Sequence, residues 1–323
     1  MKNILLIHTG GTISMLEDKN TGEVTTTNKH PLTALSYHLR TYAKVKEKII
    51  FSLPSPHITP KHMLQLAKEI EKKLPKYDGI VITHGTDTLE ETAYFLDLVI
   101  ETEKPIILTG AMRSSNEIGS DALYNLISSL RVAVEKEAEG KGVLVVMNDE
   151  IHTAKNVTKT STSNVATFQS PQYGPIGIVT KEAILFHHTA LSRYTYPVNS
   201  ISKNVYLLKA YAGMDGSIVQ ALNQSNPDGL VIEALGQGNL PLEMTKALQE
   251  MIHQYKPVII VSRCYRGVVQ PTYSYEGGGN YLKERGMILA NGLNGPKARL
   301  KLLIALEKET DFTSLKKIFE NEY

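Results

Sequence analysis

A strand, a short polar turn and a helix can be predicted from one stretch of the chain, residues 78–100. Its apolar run at 79–83, rich in β-branched residues, is typical of a strand buried on both faces of a parallel sheet. The helix is predicted from apolar residues at helical spacing, with Thr88 and Glu91 spaced as a capping box. The turn between them, residues 84–87, therefore lies at the strand end where α/β proteins hold their ligands.

The same alternation of strand and helix recurs on both sides of this stretch. Further strands are predicted at residues 3–7, 48–53, 105–109 and 142–147. Helices are predicted at residues 32–40, at 60–74 after a Thr59 cap, and at 121–138 after a Ser120 cap. Strands and helices that alternate at this spacing indicate a doubly wound, mainly parallel sheet.

A second, smaller region of alternating elements follows residue 203. Strands are predicted at 205–209, 229–233 and 258–262, and helices at 217–223, 242–254 and 296–306. The sequence therefore predicts an α/β protein with two domains, each a mainly parallel open sheet flanked by helices. The larger, doubly wound N-terminal domain spans residues 1–186, a linker spans 187–203, and the smaller domain spans 204–323.

Composition and charge exclude several functional classes. The net charge is +2, and 35 basic residues are spread among 33 acidic ones, so nucleic acid is not an expected partner. The single cysteine, Cys264, excludes an intramolecular disulfide and thiolate metal clusters, and the ten histidines lack ligand spacing. Because no apolar run approaches the roughly 20 residues of a membrane span, and only four consecutive apolar residues precede His8, we expect a cytoplasmic, soluble protein.

Small polar residues follow several predicted strands. Thr12 follows Gly10 and Gly11 after the first strand, Ser55 follows the second, and Ala111 follows the fourth. The turn after the first strand is neither a dinucleotide fingerprint nor a P-loop, so no phosphate ligand is predicted. Since the carboxyl ends of parallel strands share one edge of a sheet, we expect these turns to converge with residues 84–87.

The polar side chains of this edge favour acyl transfer. Thr12 and Thr86 are hydroxyls that an uncharged lysine could deprotonate, and Lys159 lies in a polar, non-periodic segment at 148–177. Asp87 opposes the use of Lys159 as a base, because a nearby carboxylate favours the charged lysine. Asp87 could instead hold a substrate ammonium. Taken singly, the Gly-Gly pair could be a tight turn and Lys159 a surface lysine.

Residues 17–30 form a polar loop that could serve as a lid.

Four segments carry a resemblance to a known family. They are TGGTI at residues 9–13, ITHGTDTLEETAYFLDL from Ile82, GAMR from Gly110 and VTKTSTSNVATF from Val157. Together and in this order they resemble the bacterial L-asparaginase family. The similarity continues through GQGNL and GPKAR to the last helix and covers nearly the whole chain.

The resemblance implies hydrolysis of the side-chain amide of L-asparagine to L-aspartate and ammonia, without metal or organic cofactor. Carried over by position, Thr12 is the implied nucleophile and forms a β-aspartyl ester. The implied partner group is Thr86, Asp87 and Lys159, in which Thr86 activates the water. The resemblance implies oxyanion stabilisation by backbone N–H groups around Gly11 and Thr86.

Substrate-binding residues are also implied by the resemblance. Ser55 and Asp87 would hold the α-carboxylate and α-ammonium of the substrate, and the Ala111 carbonyl would accept from its amide. Asn239 and Glu276 match positions that reach into the site of a neighbouring subunit. A homotetramer built as a dimer of intimate dimers is therefore implied.

Two departures from the family pattern leave alternatives open. The loop after the first glycine turn has no tyrosine before Tyr37, and Pro56 replaces a common glutamine next to Ser55. The second change leaves the choice between L-asparagine and L-glutamine open. A glutaminase-asparaginase or a glutamine-dependent amidotransferase subunit is the alternative enzyme, and an amino-acid-binding protein is the alternative from another class.

Overall fold

Two compact units make up the chain in the computed structural model, which describes residues 1–26, 39–189, 193–308 and 311–320. The units are Met1–Pro197 and Val198–Tyr323, and the division falls inside the segment predicted as the linker. Nearly all of the helix predicted at 32–40, Tyr37 and the end of the predicted loop at 17–30 lie outside the described residues.

An eight-stranded sheet forms the centre of the first unit. Its spatial order is β12 (Ile184–Phe186), β11 (Gly177–Val179), β8 (Glu150–Thr153), β7 (Val143–Met147), β6 (Ile106–Thr109), β5 (Gly79–Thr83), β1 (Asn3–Gly10) and β4 (Lys44–Leu53). The five strands from β7 to β4 pair in parallel, and β8, β11 and β12 extend the sheet in antiparallel fashion.

The strand order reverses at β1. The chain first adds β4 on one side of β1 and then crosses to place β5 on the other side. In open α/β sheets a ligand crevice lies outside the carboxyl ends of the strands at such a switch point. The turns that follow β1, β4 and β5 therefore meet at the position where a ligand site is expected.

Two short ribbons lie outside the main sheet of this unit. They are β2 (Met15–Glu17) with β3 (Val24–Thr26), and β9 (Thr158–Lys159) with β10 (Phe168–Gln169). The second ribbon lies in the non-periodic segment 148–177, which also contains β8. Ladders of two to four residues are too short to show a period in the sequence, so this segment gave no strand prediction.

Three longer helices cover the sheet: α1 (Pro60–Lys73), α2 (Leu89–Val99) and α3 (Ala122–Val134). The Thr59 cap of α1 is confirmed, and the His62 ring completes its capping box. The capping box predicted from Thr88 and Glu91 is wrong, because the Thr88 hydroxyl donates to the Ser55 carbonyl at 2.8 Å. The Ser120 hydroxyl accepts from the Ala122 N–H at 3.3 Å, as predicted for a cap of α3, but the helix begins at Ala122 after Asp121 and ends at Val134, short of the predicted residue 138.

Burial explains why these elements form. All five residues of β5 are buried, as expected for a central parallel strand with helices on both faces. The buried side chains of β1, β5, β6 and β7 pack with those of α3, including Ile4, Val81, Ile107, Leu126 and Leu144. This core holds the strand ends, and hence the turns that follow them, in fixed relative positions.

The second unit is built on a four-stranded parallel sheet. Its order is β13 (Val205–Lys209), β14 (Gly229–Ala234), β15 (Val258–Ser262) and β16 (Ile288–Leu289). The helices are α4 (Ser217–Gln224), α5 (Leu242–His253), α6 (Gly279–Glu284), α7 (Gly295–Lys308) and α8 (Phe312–Glu320). The predicted two-domain α/β fold class is confirmed. No helix among the described residues is long and apolar enough to cross a membrane.

Candidate active site

The turn after β1 is held against the turn after β5 by direct backbone contact. Gly11 has φ of 83°, and a Cβ at this position would lie 2.1 Å from the Gly85 Cα. Only glycine combines this positive φ with so close an approach. Each of the two glycines is followed by a threonine, so the contact places Thr12 and Thr86 on adjacent turns.

Ser55 joins the turn after β4 to the same point. The Ser55 hydroxyl accepts from the Asp87 backbone N–H at 3.2 Å, and the Ser55 carbonyl accepts from the Thr88 hydroxyl. A Cβ on Gly85 would lie 2.7 Å from the Ser55 Cβ. The hydroxyl of Thr88 is therefore used to connect two turns, which is the physical reason that it does not cap α2.

His84 supports the turn after β5 from inside the unit. Its Nδ1 lies 2.8 Å from the Gly85 carbonyl and its Nε2 lies 3.0 Å from the Thr92 hydroxyl. Because a carbonyl can only accept, Nδ1 carries the proton and Nε2 accepts from Thr92. Complete burial lowers the pKa of His84 to about 4, although the bond to the Gly85 carbonyl opposes this shift. The ring is therefore neutral near pH 7 and ties the turn to α2.

Lys159 reaches the turn after β5 from the β9–β10 ribbon. Its Nζ lies 3.0 Å from the Thr86 hydroxyl and 2.7 Å from Asp87 Oδ1. The Lys159 side chain is 17% exposed, whereas that of Asp87 is 59% exposed. The Lys159 backbone N–H also donates to Glu90 in the first turn of α2. Thr86, Asp87 and Lys159, predicted as one group, thus lie in direct contact.

The Thr12 hydroxyl has different surroundings. Thr12 begins a short 3₁₀ helix, Thr12–Ser14, and is half-buried. No hydrogen bond to its side chain is found within the described residues. The Gly11 N–H donates to the Leu53 carbonyl at 3.1 Å. The Gly11 N–H is thus bonded within the fold, and the observed role of Gly11 is the close approach to Gly85. Oxyanion stabilisation by backbone N–H groups around Gly11 and Thr86 stays a prediction.

Ala111 follows β6 and is fully buried beside the turn after β5. A Cβ on the preceding Gly110 would lie 2.7 Å from the His84 carbonyl oxygen and 3.2 Å from Thr86 Cγ2. Gly11, Ser55, Thr86, Asp87 and Ala111 are therefore brought together in the first unit, as the strand-end argument predicts, and Lys159 joins them from the β9–β10 ribbon.

Several residues that shape these turns were missed by the sequence reasoning. Asp121 and Asn125 accept from or donate to the backbone around Ala111. Ser115 donates to the Ile13 carbonyl at 2.9 Å, and Asn116 both accepts from and donates to the Glu17 backbone at 2.8 Å. Polar residues in a loop and in the first turn of a helix have no distinctive pattern, so no sequence signal identified these contacts.

Asn239 and Glu276 lie in the second unit, on two turns that pack together. The Asn239 side-chain oxygen accepts from the Gly279 N–H at 3.2 Å, and the Leu240 N–H donates to the Gly277 carbonyl at 2.8 Å. Asn239 is half-buried and Glu276 is exposed. The structure therefore associates these two predicted residues with each other.

The described residues contain no group of three or more histidine, cysteine, aspartate or glutamate side chains placed to hold a metal ion. The polar groups on the shared edge of the first unit are two threonine hydroxyls, a serine hydroxyl, a carboxylate, a lysine amine and backbone groups. Hydroxyl, lysine and carboxylate groups in contact are suited to nucleophilic acyl transfer.

Comparison with known proteins gives a consistent result over the whole chain. The family model described as "Asparaginase, N-terminal" matches residues 3–192, and the "Glutaminase/Asparaginase C-terminal domain" model matches residues 204–319. The chain is 40% identical to a "Probable L-asparaginase" of Deinococcus radiodurans, over 99% of this chain and 97% of that protein. It is 33% identical to a "Glutaminase-asparaginase" of Pseudomonas aeruginosa, over 99% and 90% respectively.

A solved structure is similar over the full length of both chains. It is that of a "Probable Cytoplasmic L-asparaginase from Campylobacter jejuni", with a TM-score of 0.90, 31% sequence identity and 100% coverage of each chain.

Proposed function

The chain belongs to the bacterial L-asparaginase family and is an amidohydrolase, and from this premise we propose that it hydrolyses L-asparagine through a threonine ester. The observation that carries the proposal is the contact between the Gly11 and Gly85 turns, together with Lys159 in contact with Thr86 and Asp87. Two hydroxyls, one amine and one carboxylate thus lie at the carboxyl ends of neighbouring strands, on one edge of the sheet.

In the proposed first half-reaction, the Thr12 oxygen attacks the side-chain amide carbon of L-asparagine. The hydroxyl proton leaves Thr12, the carbonyl oxygen becomes an oxyanion, and the Thr86 N–H stabilises that charge. Collapse of the tetrahedral intermediate breaks the carbon–nitrogen bond, and the leaving nitrogen takes up the proton that left Thr12 and departs as ammonia. The product on the enzyme is a β-aspartyl ester of Thr12.

In the second half-reaction, water attacks the ester. The Thr86 hydroxyl, in contact with Lys159, holds and deprotonates the water, and the proton passes towards the lysine amine. The carbon–oxygen bond of the ester then breaks, the Thr12 oxygen takes up the proton that the water gave up, and L-aspartate is released. Asp87 sets the charge beside Lys159 and, being more than half exposed, also presents its carboxylate to the substrate.

Substrate orientation follows from the remaining residues of the edge. We assign the α-ammonium of the substrate to the Asp87 carboxylate and its α-carboxylate to the Ser55 hydroxyl. The Ala111 carbonyl accepts from the side-chain NH₂ group. Separate groups recognise the side-chain amide and the two α substituents of the substrate. An aliphatic amide without an α-ammonium and an α-carboxylate should therefore be a poor substrate.

The test is ammonia release by the purified protein from L-asparagine and from L-glutamine. Turnover of L-asparagine, lost in Thr12→Ala, supports the proposal. Saturable binding of either amino acid without turnover would instead indicate an amino-acid-binding protein. Turnover of L-glutamine at a similar rate would identify a glutaminase-asparaginase, an activity in the name of one relative. Ammonia passed directly to a second enzyme would indicate an amidotransferase subunit.

We also propose a homotetramer, assembled as a dimer of intimate dimers, in which Asn239 and Glu276 complete the site of a neighbouring subunit. The support is the pairing of their two turns and the family membership of the chain. Light scattering gives the mass of the assembly, and a mixture of Thr12→Ala and Glu276→Ala subunits tests the shared site. Recovery of activity on mixing supports it, and no recovery in mixed tetramers contradicts it.

A cytoplasmic location is proposed as well. Its supports are the single cysteine and the similarity to a protein described as a cytoplasmic L-asparaginase. Fractionation of the native host, with activity measured in each fraction, tests this assignment.

A further inference from the structure

Asp121 occupies the N-cap position of α3, but its carboxylate does not cap the helix. Asp at an N-cap ordinarily accepts from the N–H groups of the first turn. Here no side-chain cap bond is present, and the carboxylate is directed at the loop after β6. It accepts from the Met112 N–H at 3.1 Å and from the Arg113 N–H at 3.1 Å.

Asn125, one turn further along α3, holds the other side of the same loop. Its side-chain NH₂ donates to the Gly110 carbonyl at 3.1 Å and to Asp121 at 2.9 Å. Its side-chain oxygen accepts from the Asn148 N–H at 3.1 Å. Asn125 is 1% exposed, so these bonds are shielded from water.

The two side chains therefore hold the peptide groups on both sides of Ala111. A trans peptide is planar, and its N–H and C=O point in opposite directions. Because Asp121 holds the Met112 N–H, the carbonyl of Ala111, which belongs to the same peptide group, must point away from Asp121. Asn125 fixes the preceding peptide through the Gly110 carbonyl. The direction of the Ala111 carbonyl is thus set by two side chains that do not belong to its own loop.

We propose that Asp121, supported by Asn125, is a positioning residue that orients the Ala111 carbonyl to accept from the side-chain NH₂ group of the substrate, and so favours the amide substrate over its acid product. This inference rests on the proposed function. L-asparagine has an N–H to donate to that carbonyl, whereas the side-chain carboxylate of L-aspartate has none. Loss of Asp121 should therefore weaken the binding of the amide and have little effect on that of the acid.

The experiment compares L-asparagine and L-aspartate in wild type, Asp121→Ala and Asp121→Asn. In Asp121→Ala we expect the KM for L-asparagine to rise about tenfold, the usual effect of one lost hydrogen bond. The inhibition constant for L-aspartate should change less than about twofold. Asp121→Asn, which keeps one acceptor oxygen, should fall between wild type and Asp121→Ala.

Glu307→Ala is the matched control. The Glu307 carboxylate also accepts from two consecutive backbone N–H groups, those of Ser202 and Lys203, but it lies in the second unit. This variant loses the same kind of contact. It should keep the wild-type ratio of the KM for L-asparagine to the inhibition constant for L-aspartate. Equal increases of both constants in Asp121→Ala, or an unchanged ratio in both Asp121 variants, would overturn the inference.

Hydrogen exchange separates this inference from the proposed function. Faster exchange at the Met112 N–H in Asp121→Asn is expected if Asp121 holds that peptide, and unchanged exchange would count against it whatever the activity. A wild-type protein that releases no ammonia from either amide would refute the proposed function, and the assignment of the amide as ligand of this carbonyl would fall with it.

Discussion

The turns after β1 and β5 are neighbours at the same edge of the sheet, yet their threonines differ in surroundings. Thr86 lies within 3.0 Å of Lys159, and the turn that carries it is bonded to Ser55 and to the buried His84. Thr12 begins a short helix and has no side-chain hydrogen bond within the described residues. A hydroxyl with a fixed amine partner is suited to deprotonating water, whereas a hydroxyl without one keeps the freedom to form and release an ester. These different surroundings support the proposal that two chemically identical groups act in different steps.

Replacing each threonine in turn gives the largest expected effect. Thr12→Ala and Thr86→Val should each lower kcat at least roughly a thousandfold, because each removes a group that acts on the reacting atoms. Mass spectrometry of acid-quenched enzyme distinguishes the two roles. The β-aspartyl ester should be found in Thr86→Val and be absent from Thr12→Ala.

Thr180→Val is the control for this pair. The Thr180 hydroxyl donates to the Ala183 carbonyl in the hairpin between β11 and β12, so the variant loses a bonded threonine hydroxyl without touching the two turns. It should keep near-normal kcat. An ester found on Thr86 in Thr12→Ala would reverse the assignment of the two steps.

Removal of Lys159 sharpens the contrast between the two threonines, because Lys159 contacts Thr86 and no contact with Thr12 is found among the described residues. Lys159→Met should lower steady-state kcat by roughly 10² to 10⁴, the usual contribution of a general base. A rapid release of about one ammonia per site should precede the slow phase, since the Thr12 step precedes the step that needs Lys159. Lys203→Met removes a lysine that pairs with Asp228 at 3.2 Å in the second unit and should behave as wild type. A Lys159→Met enzyme that is slow from the first turnover would show that Lys159 also serves Thr12.

The contact between the two turns can be broken at Gly11. Gly11→Ala combines a positive φ with a Cβ 2.1 Å from the Gly85 Cα, and should cost about 3 kcal/mol in the free energy of unfolding. Gly213→Ala has a similar φ of 78° but no atom within 4 Å, and should cost about 1 kcal/mol. Urea unfolding measures both variants. Equal losses would mean that the close approach contributes nothing to stability.

The smallest expected effect is the pH dependence that His84 gives to the turn after β5. Its pKa is about 4 when folded and 6.5 in the unfolded chain, so between these values the unfolded state binds the proton more readily. The contribution of the neutral His84 ring to the free energy of unfolding is therefore complete above pH 6.5 and is lost as the pH falls towards 4. Between pH 6.5 and 5 the loss should be about 2 kcal/mol.

Denaturant unfolding at several pH values measures this dependence. In His84→Gln this pH-dependent part of the free energy of unfolding should disappear. His57→Gln, at an exposed position, should retain it. An unchanged slope in His84→Gln would show that other groups cause the acid sensitivity.

Regular elements with a clear period were predictable from the sequence. The strand at 79–83 is confirmed residue for residue, and the helix after Thr59 differs by one residue at its end. Errors occurred where a side chain has two possible partners. Thr88 has the sequence pattern of a helix cap, but its hydroxyl bonds to the neighbouring turn at Ser55, because a bond between two turns is available only after the sheet has formed.

By itself the sequence determined the fold class, the strand ends at which Thr12, Ser55, Thr86 and Ala111 lie, and, through its resemblance, the family. Periodicity and residue type are local properties, and they suffice for such conclusions. Only the tertiary structure decided that Gly11 lies against Gly85, that Thr88 bonds to Ser55, and that Asp121 holds the peptide after Ala111. These contacts join residues far apart in the chain, so they depend on the order of the strands in the sheet and on the packing that fixes their ends.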